Sequence, residues 1–284
     1  MRSLSTSLLF VMLPNRDFTV GNTITVGVAI YKQNWRQYLK LSFIAHLWLL
    51  VPVYGWARYF AIAAWISRLS FQKLVNDANR LSRKQYLTAN SLFKLLVIAI
   101  SSIFIPLILS NIVMIPLTII VPVIYKIILQ FPSFADFIFQ NNFYLLGYFA
   151  LFVCYGIWIL IYARLFITEL AFADYLINKV AYPYPINRSY HLTKNNTFKI
   201  YKVIWLSFFC SIPVWIVLFI TICAVFIAFR LIIPRSILDS NSLYLPILPT
   251  FILCAHMIVL PFWQSVKALV FYQLTKNSNN ESIR

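Results

Sequence analysis

The chain has 284 residues, of which 61% are hydrophobic and 11% are charged. Since a soluble globular protein carries about 25% charged residues, this composition excludes a soluble domain and predicts a polytopic membrane protein. The 24 Lys and Arg residues outnumber the 7 Asp and Glu residues, for a net charge of +17. Cytoplasmic loops of membrane proteins are rich in Lys and Arg. We therefore assign the excess to a basic cytoplasmic face that attracts anionic lipids, and we expect no nucleic-acid partner.

The N-terminal segment is predicted to be a leader followed by an amphipathic helix. Residues 1–19 form the leader, because their apolar stretch is too short for a signal-peptide core. Within residues 22–40, Lys32, Arg36 and Lys40 repeat every four residues and form a basic row. The apolar face of the same helix comprises Ile24, Val28, Tyr31, Trp35 and Tyr38. A helix of this kind lies in the membrane interface, so we predict one interfacial helix before the membrane domain.

Residues 41–71 allow two interpretations. Pro52 and Gly55 interrupt their apolar run. The run therefore forms either one kinked span or a short hairpin, whose arms are shorter than the roughly 20 residues of a full span. A single crossing would place the basic residues of the N-terminal segment on the outer side, against the positive-inside rule. A hairpin keeps them cytoplasmic, so we favour a short first hairpin that is re-entrant or fully spanning.

Four longer apolar runs follow, and each can cross a bilayer as a helix. They cover residues 95–129, 143–162, 203–229 and 243–266. The first run contains three prolines and is expected to form a kinked span with an extension, or alternatively two tight spans. The segments 68–94 and 164–202 hold six Lys and Arg residues each, whereas the turns within the two pairs of runs hold one and two. This distribution predicts an all-α protein of about six helical segments in three hairpins, with both termini cytoplasmic. The predicted domains are a leader with its interfacial helix (1–40), a helical membrane domain (41–272) and a polar cytoplasmic tail (273–284).

A short internal repeat supports this arrangement. Lys32-Gln33-Asn34 lies 162 residues before Lys194-Asn195-Asn196. Each stretch leads into an apolar run that reaches a Pro-Val pair, at Pro52 in the first copy and at Pro213 in the second. Two copies of a basic lead-in followed by a span indicate an internal duplication.

Several stretches carry motifs of helix entries and turns. They read VGN at 20–22, LWLLVPVYGWAR at 47–58, WISRLSF at 65–71, RLFITEL at 164–170, SYHLTK at 189–194 and FKI at 198–200. In these motifs the chain resembles a bacterial membrane-protein family named after the membrane domain of some glycerophosphoryl diester phosphodiesterases.

The resemblance implies about six helices in three hairpins with cytoplasmic ends. It also implies a bacterial inner (plasma) membrane or an internal membrane, and it implies no established activity. Related sequences tend to have a longer first hairpin than this chain. The phosphodiesterase activity behind the family's name needs a soluble metal-binding domain, and no polar segment of this chain is long enough to hold one.

The groups that catalysis requires are scattered along the sequence. The metalloprotease, nucleophile-elbow and P-loop patterns do not occur. Glu169 and Asp174 are the closest acids, but five residues on a helix separate their directions by about 140°. Glu169 is interpreted as a charge that faces Arg164 or the basic segment 188–202. The four cysteines lie in apolar runs without metal-ligand spacing. We therefore predict that the protein is not an enzyme and has no catalytic, cofactor-binding or metal-binding residues.

Ionisable side chains inside apolar runs remain as candidates, because placing them there is costly. Arg58 either extends to the interface or binds a lipid phosphate or a carboxylate. His46 and His256 are expected to hydrogen-bond neighbouring helices. The candidate contacts to lipid headgroups or to a protein partner are Lys32, Arg36, Lys40, Arg58, Arg164, Glu169, Lys194, Lys199 and Lys202.

Two functions are compatible with these features. The basic lead-ins favour a non-catalytic membrane component that binds lipids or serves as an accessory subunit of a protein partner. The alternative is a transporter or flippase for a hydrophobic or lipid-like substrate. It is motivated by the proline breaks at matching positions of the repeat, since transporter sites form where helices of two repeats are broken.

Overall fold

The structure, a computed structural model, describes residues 19–75, 87–88, 91–109, 143–172, 185–232 and 244–281. The regular elements within these ranges are all helical, which confirms the predicted all-α class. The predicted leader, apart from its last residue, lies outside the described residues, as does the turn predicted between the first two long runs. The helices are α1 Val20–Gln33, α2 Trp35–Trp48, α3 Tyr54–Val75, α4 Ser91–Leu109, α5 Phe143–Leu165, α6 Pro185–Thr193, α7 Thr197–Ile232 and α8 Tyr244–Glu281.

Four of the described stretches are long and apolar enough to cross a membrane. They fall on the four long apolar runs of the sequence, so the chain has the helices of a membrane protein. Residues 110–129, the second part of the first run, lie outside the described residues. The four stretches are Ser91–Leu109, Phe152–Phe172, Pro185–Val225 and Thr250–Lys276.

The N-terminal amphipathic segment forms two helices, so the prediction of a single helix over residues 22–40 is wrong. Asn34 leaves helical geometry, with φ −127° and ψ 21°, and separates α1 from α2. The break resets the helical period. The predicted apolar face is not buried as a whole: Val28 and Trp35 are exposed, whereas Tyr38 is fully buried.

The second copy of the repeat has a break at the matching position. There α6 ends at Thr193, a 3₁₀ turn covers Lys194–Asn196, and α7 begins at Thr197. Asn196 lies 162 residues after Asn34. Both copies therefore consist of a short helix, a break at an asparagine and a second, apolar helix.

α2 and α3 pack side by side, so residues 41–71 do not form one kinked helix. Val53 makes the turn between them with φ of 57°. At Gly55 the chain passes so close to α2 that a methyl group there would overlap the carbonyl oxygen of Trp48. Only glycine fits this contact. The two helices are antiparallel, since their contacts occur in reverse order, in the pairs His46–Tyr59 and Tyr38–Ser70.

Side-chain contacts give the directions of the longer helices. α3 and α8 are parallel, because their contact pairs keep the same order along both helices. α7 is antiparallel to α8, and α5 is antiparallel to α7, because there the order is reversed. The pairs are Tyr59–His256 and Phe71–Phe271 for α3 and α8, Ser211–Trp263 and Phe219–Phe251 for α7 and α8, and Phe152–Trp205 and Gly156–Tyr201 for α5 and α7.

These directions bring basic residues from several helices to one end of the bundle, which we call the basic end. The C-terminal ends of α3, α5 and α8 lie there, together with the N-terminal ends of α2 and α7. The residues at these helix ends include Arg36, Lys73, Arg164, Lys199, Lys202 and Lys276. The segments that meet at the basic end are thus the same segments that are rich in Lys and Arg in the sequence.

Two helices extend beyond the ends that are predicted from the sequence. α3 continues to Val75, so Arg68 lies inside a helix and is 1% exposed, although the sequence analysis places it in a basic loop. α8 continues to Glu281, so most of the predicted polar tail prolongs the last helix. Hydropathy marks where an apolar run ends, but a helix continues beyond that point as long as its backbone hydrogen bonds are made.

Candidate functional site

A cavity of about 330 Å³ lies among α3, α4, α5, α7 and α8. Small-molecule sites typically have volumes of roughly 300–1,000 Å³ and combine apolar walls with a few polar groups. Most of the lining is aromatic or aliphatic. The polar side chains that line it include Ser102, Glu169, Ser211, His256, Gln264 and Lys267.

Lys267 and Glu169 form an ion pair at the cavity, with Nζ 3.3 Å from Oε2. Their side chains are 8% and 14% exposed, and the ammonium lies 5.4 Å from the centroid of the Phe166 ring. Removing two charges from water costs free energy, which their attraction offsets only while both partners are present. The interpretation that Glu169 faces Arg164 or the basic segment 188–202 is wrong, since its carboxylate binds a lysine of α8 instead.

Arg164 joins the end of α5 to α6. Its guanidinium carbon lies 4.8 Å from the centroid of the Tyr190 ring. Its carbonyl oxygen accepts hydrogen bonds from the hydroxyls of Ser189, at 2.9 Å, and Thr193, at 3.2 Å. Carbonyl groups in the last turn of a helix lack partners within the helix. The serine and threonine of the segment 189–194 therefore serve to hold the end of α5.

His46 and His256 bond to each other across α2 and α8, which confirms that each histidine hydrogen-bonds a neighbouring helix. Nδ1 of His46 donates to the carbonyl oxygen of Ser42 at 2.7 Å, so Nε2 of the neutral ring is an acceptor. Nδ1 of His256 lies 3.0 Å from that nitrogen and carries the hydrogen of the bond. A neutral pair therefore leaves Nε2 of His256 without a proton.

Hydroxyl groups of α3 form hydrogen bonds with side chains of α2 and α8. The Ser67 hydroxyl donates to the side-chain oxygen of Gln264. The Ser70 hydroxyl donates to the Tyr38 phenol oxygen at 3.0 Å and lies 3.2 Å from the Ser265 hydroxyl. Hydrogen bonds between helices in a membrane contribute about 0.6 kcal/mol each on average. Together they keep α3 and α8 in register.

Arg58 follows the α2–α3 turn and is held by two aromatic rings. Its guanidinium carbon lies 4.6 Å from the centroid of the Trp48 ring and 5.1 Å from that of Tyr54. Its Nε and Nη2 donate to the Tyr54 phenol oxygen at 2.9 and 2.6 Å. A cation over a Trp face gains about 0.5–1 kcal/mol when exposed. The partly exposed guanidinium is thus held in one place near the turn.

The α2–α3 turn does not reach the far end of the bundle. Tyr59 is level with His256, and Phe251, five residues earlier on α8, is level with Phe219 of α7. The turn, five residues before Tyr59, therefore lies near the level of Phe219. α7 continues for 13 residues from there to Ile232, or about 20 Å. Arg58 consequently lies at the level of the apolar middle of α7.

The two basic lead-ins carry exposed side chains. The first row lies on α1 and α2, and the second lies at the break before α7 and in its first turns. All six side chains are exposed: Lys32, Arg36, Lys40, Lys194, Lys199 and Lys202. Their contact with lipid headgroups or with a partner stays a prediction.

Sequence reasoning missed Lys267. The last apolar run predicted from the sequence ends at Val266, so Lys267 is not among the candidate site residues. The seven-residue spacing of Tyr155, Tyr162 and Glu169 was a usable signal, since two helical turns bring all three to one face, and all three line the cavity.

The cysteines and the other described residues that commonly bind metals are spread over several helices. Among the described residues, no group of three or more His, Cys, Asp or Glu side chains converges on one point. The four cysteines, Cys154, Cys210, Cys223 and Cys254, are free thiols. The expectation that the protein works without a metal or cofactor stays a prediction.

Comparison with protein-family models, with curated proteins and with solved structures finds no match to this chain. The resemblance to the phosphodiesterase membrane-domain family therefore stays a prediction based on the motifs quoted above.

Proposed function

We propose that the protein is a non-catalytic membrane component that binds anionic lipids through its two basic lead-ins. The observation that carries this proposal is the exposure of both basic rows at matching helix breaks. The membrane is a bacterial inner (plasma) membrane or an internal membrane, and both chain termini are cytoplasmic. A protein partner in a membrane complex would use the same basic surface.

The proposed topology has six helical segments, of which the α2–α3 pair is a re-entrant first hairpin. α2 has 14 residues, about 21 Å as a helix, and cannot cross the ~30 Å hydrocarbon layer. With this pair entering and leaving on the same side, all segments rich in Lys and Arg lie on the cytoplasmic side.

Packing of the N-terminal helices leaves the first basic row outside the bundle. α1 contacts α8 so closely that a methyl group on Gly27 would come within 2.8 Å of the Val266 side chain. The face of α1 that holds Ile24, Gly27 and Ile30 is thus covered by protein, and Lys32 remains exposed. Basic residues near an anionic membrane surface each contribute about 1 kcal/mol of attraction.

Neutralising the first row by Lys32→Gln, Arg36→Gln and Lys40→Gln is expected to weaken binding of phosphatidylglycerol about 100-fold. The reason is the loss of roughly 1 kcal/mol at each of three positions. The measurement is a titration of the detergent-solubilised protein with phosphatidylglycerol, with bound lipid counted by native mass spectrometry.

The matched control exchanges the basic residues without changing the charge, as Lys32→Arg, Arg36→Lys and Lys40→Arg. It is expected to bind like the original protein. Equal binding by the neutralised and the original protein would show that this row does not attract lipid and would remove the basis of the proposal.

A second candidate function is movement of a lipid-like molecule across the membrane. The specific observation in its favour is a guanidinium, Arg58, held at the level of the middle of α7. Ionisable side chains at membrane depth commonly mark a substrate pathway. The cavity among α3, α4, α5, α7 and α8 provides a space for the headgroup of such a molecule.

Arg58→Ala is expected to slow lipid movement at least tenfold, because a hydrogen bond from a charged group contributes about 1.5–3 kcal/mol. The measurement uses liposomes that contain the protein and a fluorescent phospholipid, with dithionite quenching of the outer leaflet. Tyr54→Phe keeps the guanidinium but removes the oxygen that holds it, and is expected to have a smaller effect. Movement at the original rate in the Arg58→Ala variant would exclude Arg58 as a substrate contact.

A further inference from the structure

The cavity has an apolar, exposed side between α4 and α7. Two of its lining residues, Ile103 on α4 and Phe208 on α7, are each 40% exposed. Both helices are long and apolar enough to cross a membrane. A molecule that enters between them passes exposed apolar side chains, so this side favours access from the hydrocarbon layer.

The two ends of the cavity differ in polarity. Lys267 and Glu169 line it toward the basic end. His256 and Trp215 line it further along the bundle. On α8, 11 residues separate position 256 from position 267, a distance of about 17 Å along the helix. The charged groups are therefore concentrated at the end where lipid headgroups would lie, and the deep end is lined by aromatic rings.

We propose that this cavity binds the headgroup of a zwitterionic phospholipid, in which a phosphate is joined to an ammonium group. The phosphate lies beside the Lys267 ammonium, and the lipid ammonium lies beside the Glu169 carboxylate. The four charges then alternate in sign, and the pair keeps its own contact of 3.3 Å. Hydrogen bonds between charged groups are stronger than those between neutral groups, and they are strongest in a site with little water.

The ion pair disfavours headgroups of a single sign. A purely anionic headgroup would gain the attraction of Lys267 but would lie against the carboxylate of Glu169, only 3.3 Å from the ammonium. A purely cationic headgroup would gain the attraction of Glu169 but would lie against the ammonium of Lys267. Like charges at contact distance repel strongly where the dielectric constant is low. Aromatic side chains add to the preference, since Tyr155 and Tyr162 line the cavity and their ring faces attract an ammonium group.

The size of the cavity fits a headgroup and not a whole lipid. Its volume of about 330 Å³ lies at the low end of the range of roughly 300–1,000 Å³ for sites that bind small molecules. The acyl chains therefore remain in the bilayer, beyond the exposed side formed by Ile103 and Phe208. This inference deepens the second candidate function, because it names the headgroup, but it requires binding alone. Intact binding without lipid movement would remove the transport function and leave the inference standing.

The test compares phosphatidylethanolamine with phosphatidylglycerol of identical acyl chains, each titrated into the full-length protein in detergent and counted by native mass spectrometry. We expect the original protein to bind at least one molecule of phosphatidylethanolamine. We expect this binding to be about tenfold tighter than in the uncharged double variant Glu169→Gln/Lys267→Met. Phosphatidylglycerol binding at the basic rows is expected to be the same in both proteins.

Two further variants separate recognition from folding. The exchange Glu169→Lys/Lys267→Glu keeps a buried ion pair and is expected to retain the preference for phosphatidylethanolamine. Ser102→Leu fills part of the cavity from α4 without changing the pair, and is expected to lower phosphatidylethanolamine binding. A purely structural ion pair would leave lipid preference unchanged in all variants.

Two outcomes would overturn the proposal. One is equal phosphatidylethanolamine binding by the original protein, the uncharged double variant and Ser102→Leu. The other is complete competition by soluble phosphoethanolamine at concentrations equal to those of the lipid, since the ligand would then be a small zwitterion from the aqueous phase and not a lipid. Competition that requires a large excess of phosphoethanolamine supports the lipid headgroup.

Discussion

Lys267→Met is expected to lower the free energy of unfolding by about 3–5 kcal/mol, the largest effect of any single substitution considered for this protein. The substitution removes the ammonium that binds Glu169 at 3.3 Å and leaves a carboxylate that is 14% exposed without its partner. The loss comes from the uncompensated charge and not from packing, because Met fills nearly the same volume as the stem of Lys. The measurement is unfolding in mixed detergent micelles, followed by tryptophan fluorescence.

Two comparisons isolate this cause. Adding Glu169→Gln to Lys267→Met removes the remaining charge and is expected to recover most of the lost stability, since an uncharged pair has no ion to desolvate. Lys194→Met changes the same residue type at an exposed position and is expected to change stability by less than about 0.5 kcal/mol. If Lys267→Met unfolds at the same detergent ratio as Lys194→Met, the ion pair does not stabilise the bundle.

Gly55→Ala is expected to destabilise the α2–α3 pair by about 1–3 kcal/mol or more, the usual cost of forcing an extra group into a packed contact. The added methyl overlaps the carbonyl oxygen of Trp48, which is a backbone atom and cannot move without shifting α2. Because Arg58 stacks on the Trp48 ring at 4.6 Å, the same shift disturbs the position of the guanidinium. Unfolding in mixed micelles measures the loss of stability.

Gly21→Ala is the matched control, because a methyl group on Gly21 meets nothing within 4 Å. Ala has a higher helix propensity than Gly by about 0.8–1.0 kcal/mol. The control is therefore expected to be neutral or stabilising within α1. A stabilising effect of Gly55→Ala similar to that of Gly21→Ala would show that the turn opens freely and that the α2–α3 contact is loose.

The membrane helices could be predicted because each one depends on a property of its own segment. The runs 143–162 and 203–229 are apolar over enough residues to cross a bilayer, and the structure has apolar helices over both. The number of Lys and Arg residues in each segment is likewise a property of that segment and does not depend on tertiary contacts. The break at Asn34 was missed for a local reason, since the four-residue spacing of Lys32, Arg36 and Lys40 continues across it as though the helix were unbroken.

The candidate site could be predicted only in part. From the sequence, Glu169 is interpreted as facing Arg164 or the basic segment 188–202. The sequence does not identify Trp48 and Tyr54 as the contacts of Arg58. The partner of Glu169 is Lys267, which is 98 residues away in the sequence. His46 and His256 were each expected to bond a neighbouring helix, yet the sequence offers no sign that they bond each other across 210 residues. Pairing of this kind cannot be derived from composition or spacing.

The sequence by itself determined that the chain forms apolar helices, which segments they occupy and which segments carry the positive charge. Only the tertiary structure decided that Lys267 meets Glu169, that α2 and α3 stop about 20 Å short of the end of α7, and that a cavity lies beside them. The physical reason is that hydropathy and charge are sums over neighbouring residues. The rotation and depth of each helix depend instead on its packing against all the other helices. Rotation and depth together decide which side chains come into contact.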